Sequence, residues 1–133
     1  MGLGANYGLD KGCLVEGTTA IVAYTIASRG VGSQTCKNAT TAGDANNMGV
    51  FQESIDATRL ANVGKVVANV RIFGISRVKT GGIFAKGDPI TNDTSGRAVK
   101  QTTAGARSLG IAEEASTAAN QYVNVSLTTG PTI

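Results

Sequence analysis

The chain has 133 residues, of which 41% are hydrophobic and 16% charged, with a net charge of +3, 18 glycines and no histidine. That length suits one domain, and the balance excludes a disordered, highly charged tail. The missing histidine rules out Ser-His and Cys-His nucleophiles, and three tyrosines, three phenylalanines and no tryptophan leave a core of Val, Ile and Ala that buries less per side chain.

In chain order, the glycine-rich opening MGLGANYGLDKG spaces Leu3, Tyr7 and Leu9 among its glycines. It reads either as a disordered terminus or as an extended arm over residues 1–12 that orders on a neighbouring subunit through those three side chains. It has no basic and apolar leader pattern, and Asn6 breaks a myristoylation motif, so synthesis in a cytoplasm is expected. Cys13 and Cys36 are too few ligands for zinc. Free, partly buried thiols are the default expectation, and a disulfide within or between chains is the sharper one. Ala20–Ser28 predicts a strand with Val22, Tyr24 and Ile26 on one face, and its apolar run is far too short for a membrane span.

Asp56–Val63, closed by Gly64, is the helix candidate, with a single turn or a loop as the alternatives. Val66–Phe73 alternates, placing Val66, Ala68, Val70 and Ile72 inward. If that strand continues past Gly74, Arg71, Phe73, Arg77 and Lys79 share its other face. Ile83–Ala85 and Pro89–Thr91 predict short strands around the Lys86-Gly87-Asp88 turn, with Pro89 at a strand start where no ladder bond is lost. Asn92–Gly96 reads as a loop into a strand over Arg97–Lys100, and Tyr122–Leu127 alternates with Val123, Val125 and Leu127 inward.

Two stretches say nearly the same thing. TTAGDANNMGVFQES (residues 40–54) is echoed by TTAGARSLGIAEEA (residues 102–115), and VANVRI (67–72) by YVNVSL (122–127). Gly49 and Gly110 occupy matched places ahead of a Val or Ile, where a glycine inside a strand marks a bend or a close backbone approach. The expectation is an all-β chain: a small barrel or sandwich over 13–133, built from imperfect tandem repeats at about 13–77 and 78–130, behind the arm.

Charge is unevenly spread. Residues 59–107 carry nine basic side chains against Asp88 and Asp93, while both flanks are net acidic. The block reads either as a solvated face that blunts a sheet edge or as a partner surface. A nucleic-acid platform is disfavoured by the single stacking Phe73 and the low net charge. Glu113 and Glu114 would point to opposite strand faces, and no phosphate-binding glycine loop or EF-hand spacing occurs. Neither catalysis, cofactor, metal nor small-molecule substrate is expected.

The second copy, Phe84–Gly130, resembles the head decoration, or capsid cement, proteins of tailed bacteriophages. The resemblance rests on the Gly87-Asp88-Pro89 turn, the Gly96-Arg97 hairpin, LGIAEEA at Leu109–Ala115 and the closing Val123 and Val125. The first copy fits only through MGVFQES and its closing strand, and has no Gly-Asp-Pro turn. The resemblance implies a β-rich structural protein of the virion, trimeric, on the capsid exterior, bracing major capsid protein subunits of the expanded head. Leu3, Tyr7, Leu9, Arg71, Arg77 and Lys79 would then be candidate contacts, and Gly49, Gly87, Asp88, Pro89, Gly96 and Gly110 the structural turns. The alternative is another virion part, such as a tail-tube, fibre or vertex subunit, with a nucleic-acid-binding β module behind it.

Overall fold

The computed structural model describes residues 8–63, 65–103 and 108–128. Nine strands and one short helix occur among them: β1 (Gly8–Val15), β2 (Ile26–Arg29), β3 (Thr35–Asn38), β4 (Asn47–Phe51), α1 (Ala57–Val63), β5 (Val67–Lys79), β6 (Pro89–Asn92), β7 (Ala98–Lys100), β8 (Gly110–Ala112) and β9 (Tyr122–Leu127). The protein is all-β, a closed five-strand barrel with extra strands. The ring runs β1-β3-β2-β4-β5 and closes because β1 also pairs antiparallel with β5. From the far half of β5 the sheet continues through β9, β8, β6 and β7.

The alternation read in β5 and β9 holds. Val66, Ala68, Val70, Val123, Val125 and Leu127 are buried, because a period of two puts every second side chain on the core face. Asp56 caps α1, its Oδ1 accepting the Arg59 N–H at 2.7 Å.

Three local readings are corrected. Residues 8–12 lie in β1, paired with Asn69–Gly74 of β5, so the barrel begins before the expected boundary at residue 12. Leu9 is therefore a strand residue, whereas Leu3 and Tyr7 fall outside the described residues. Ala20–Ser28 is not one strand: Ile21 makes a single bridge to Ile55, Tyr24 turns the chain at a φ of 67°, and β2 starts only at Ile26. Ile83–Ala85 reduces to one bridge between Phe84 and Ser116.

Two cores share the molecule. Cys13, Ala27, Phe51, Ala68 and Val70 fill the barrel, joined by Leu60 of α1. Ile26, Val50, Val78, Phe84, Ile90, Val123 and Val125 fill the second. Strands β2 and β4 are buried on both faces: Ile26 and Val50 look one way while their neighbours Ala27 and Phe51 look the other. That is how two small cores become one body.

The halves repeat the same pairings. β2 pairs antiparallel with β3 and β4 as β6 does with β7 and β8, and β4 meets β5 as β8 meets β9. Side chains repeat as well: the Glu53 carboxylate accepts the Asn69 N–H (3.3 Å), and the Glu114 carboxylate accepts that of Asn124 (2.8 Å). A Cβ on Gly49 would collide with the Arg71 carbonyl oxygen, and one on Gly110 with that of Ser126, so both positions require glycine for close backbone approach.

Cys13 and Cys36 form a disulfide within the chain, Cα atoms 6.0 Å apart, both buried. The default expectation of free thiols fails because the fold brings β1 beside β3, a parallel pairing that the sequence does not announce.

Candidate interaction surface

The outward residues of β5 carry three of the six candidate contacts, Arg71, Arg77 and Lys79, and the structure separates them into different roles. Arg71 is taken up internally: its Nε lies 2.8 Å from Asp10 Oδ1 across the β1–β5 pair, and its Nη1 donates to the Ile75 carbonyl at 3.0 Å. The Arg71 guanidinium, with help from the Asn69 amide, holds the Asp10 carboxyl below its ordinary value. Next to that pair, Phe73 faces Leu9 across the strands, each 56% exposed. Leu14 and Val67 repeat the arrangement at the other end of β1, giving an outward face with apolar pairs flanking an ion pair.

Arg77 is held differently. Its guanidinium carbon lies 5.8 Å from the centre of the Tyr24 ring and 5.9 Å from that of Tyr122, and the two rings meet edge to face at 6.0 Å. Both distances fall within cation–π range. Among the described residues no carboxylate lies within ion-pair distance of Arg77. Lys79, two residues on, sits opposite Tyr122 in the β5–β9 register and donates its backbone N–H to the Tyr24 carbonyl at 2.8 Å. Sequence reading placed Arg77 and Lys79 on one face but missed both tyrosines. Tyr24 reaches the site only through its left-handed turn, and Tyr122 only through the β5–β9 register.

The turn residues act locally. Gly87 (φ 91°) and Gly96 (φ 75°) take left-handed conformations that glycine adopts without strain. Asp88 Oδ2 accepts the Ala85 N–H at 2.8 Å and lies 3.7 Å from Lys100 Nζ, and Pro89 opens β6 as its missing N–H allows. Arg97 pairs with Asp93 at 3.0 Å.

Sequence reading also missed a carboxylate clamp. Glu16, just past β1, accepts the N–H groups of Val31 (3.0 Å) and Gly32 (2.9 Å) and the hydroxyl of Thr35 (2.7 Å). These bonds hold its carboxyl below the ordinary 4.5, the Gly32 N–H contributing most.

Grooves are shallow. One of about 240 Å³ lies among Thr19, Val22, Thr40, Thr94 and Ser95 and has no ionisable side chain in its lining. Among the described residues, no three His, Cys, Asp or Glu side chains gather as a metal site, and no helix is long and apolar enough to cross a membrane.

No protein-family model matches the chain, and no curated protein matches it. Among solved structures it is similar to the N base of the head fiber gp8.5 of bacteriophage phi29, with a TM-score of 0.65 and 15% sequence identity. The match covers 92% of this chain and 97% of that one. At this identity the likeness establishes the fold.

Proposed function

We propose that this chain is a non-enzymatic structural subunit of a tailed-phage head, seated on the outer surface of the capsid against the major capsid protein. The observation that carries the reading is the end-to-end fold likeness to a phage head-fibre base, which spans nearly all of both chains. The decoration-protein resemblance of Phe84–Gly130 points to the same location from sequence. The β5 surface is suited to docking, since it offers exposed apolar pairs in its first half and, further along the strand, an arginine that two rings hold in place.

Two architectures fit this reading. As a capsid cement, the protein sits shell-wide, as trimers between capsid subunits, and its binding energy adds to the expanded head alone. As the base of a head fibre, it anchors a projecting appendage at selected positions, a reading supported by the fold it shares with the head-fibre base about as well as the cement reading is. Quantitative mass spectrometry of purified virions separates them by counting this chain against the major capsid protein. A ratio near one per capsid subunit, or one per few, assigns cement, and a sparse complement assigns a fibre base. Its absence from virions overturns the proposal.

A further inference from the structure

The cluster of Tyr24, Arg77 and Tyr122 has no role inside the fold that explains its composition. Tyr24 stands in a left-handed conformation, φ 67°, where a bulky side chain is an outlier. The matching turn of the second half has Gly87 there, at φ 91°, with the same local hydrogen bond: Thr25 N–H to the Val22 carbonyl, Asp88 N–H to the Ala85 carbonyl. A glycine would serve the turn, so the turn itself does not call for the ring. That ring and Tyr122, itself 50% exposed, hold the exposed Arg77 guanidinium in place. Holding it reduces the side-chain freedom to be lost on binding, while the cation keeps no carboxylate of its own among the described residues.

We infer that Tyr24, Arg77 and Tyr122 form an anchor that grips a carboxylate of an acidic protein surface, with Lys79 adding charge beside it. This rests on the head-surface reading, in which that surface belongs to the capsid. A carboxylate suits the planar guanidinium fork, and arginine with tyrosine is the composition in which interface binding energy concentrates. Nucleic acid suits it less. The two rings are set at 84° to each other and already pack on the cation, which leaves no open parallel slot for a base. Three other cations of the basic block, Arg71, Arg97 and Lys100, are already paired with Asp10, Asp93 and Asp88, which leaves fewer free charges to follow a phosphate backbone.

The test is attachment of purified protein to phage heads assembled without it, followed by co-sedimentation across a salt series. Arg77→Ala should weaken attachment about tenfold or more, the scale of a central arginine, with Arg77→Lys in between. Tyr24→Gly should fold with a melting temperature within a few degrees of the parent, since glycine accepts that φ, and yet attach more weakly. Lys86→Ala, which removes a charge of the same block elsewhere, should attach as the parent does. Equal attachment of Arg77→Ala and the parent overturns the anchor, and so does an equal loss in Lys86→Ala. Retention of the parent on single-stranded DNA that is lost in Arg77→Ala reassigns the cluster and overturns it too. Failure of the unmodified protein to attach at all is a separate result: it overturns the head-surface reading, and the anchor with it.

Discussion

Single residues decide how the first half turns. Gly87 and its neighbours Asp88 and Pro89 made one turn readable in the sequence, whereas the equivalent turn at Tyr24 carries no such signature and reads as the middle of a strand. Gln34 likewise holds a φ of 57° just before β3, where the second half has Gly96 at 75° just before β7. Glu16 was invisible for another reason: its value lies in three donors that only folding brings together. Its lowered folded pKa fixes the sign of a pH effect. The carboxylate's stabilisation is fully present above the unfolded value and is lost as pH falls through the folded one. Stability should therefore decline as pH drops below about 4.5, the ordinary value, with the loop at 30–35 loosening first. In Glu16→Gln that part of the acid dependence should vanish, and neutral-pH stability should fall toward the acid level of the parent. Thermal melts of both proteins across the acid range check this, and identical pH profiles would show that Glu16 contributes nothing to the acid dependence.

At the scale of elements, legibility followed burial pattern. β5 and β9 were readable because each has one buried face and one wet face, which prints a period of two into the sequence. β4 is buried on nearly every residue, so Met48–Phe51 shows only a short apolar run. β1 fails oppositely: only Cys13 among its eight residues is fully buried, and its glycines and charges read as a tail. What keeps so exposed a strand in the barrel is the long pairing with β5 on one side and, on the other, a short parallel seam to β3. That seam has two register pairs, Leu14–Thr35 and Val15–Cys36, the Glu16 clamp and the Cys13–Cys36 bond. Spacing alone left that bond open, since it does not say which strands become neighbours. Closing a loop with 23 residues of separation should stabilise the fold by about 3 kcal/mol through the unfolded chain. Cys13→Ala with Cys36→Ala, or reduction of the native protein, should lower the denaturation midpoint accordingly. A midpoint insensitive to reductant would show that the bond does not form in solution.

For the whole molecule, the question is whether two similar halves behave as two bodies. Each half, at roughly 60 residues, would bury too little surface to be secure alone. β5 belongs both to the barrel ring and to the stretch of sheet that continues through β9, β2 and β4 face both cores, and Asn92 ties the halves where they meet. Fully buried in β6, Asn92 accepts the Asp44 N–H (3.1 Å) and the Asn47 amide (3.4 Å) at its Oδ1. Its own amide donates to the carbonyls of Thr41 (2.7 Å) and Asp93 (3.0 Å). The sequence shows the same asparagine only as the start of a turn, because a bond between residues about 50 apart leaves no local pattern. Unfolding should accordingly be a single calorimetric transition. Asn92→Asp replaces two donors by an acceptor aimed at two carbonyls, at a position shielded from bulk solvent. It should cost about 3 kcal/mol or more at neutral pH. Because burial raises that new carboxyl's folded pKa above its unfolded value, the loss should shrink as pH falls and the group protonates. The transition should move as one, both cores melting together at a lower temperature. Two separated transitions, in either protein, would mean that the shared strand and the Asn92 ties do not couple the halves, and that each core stands by itself.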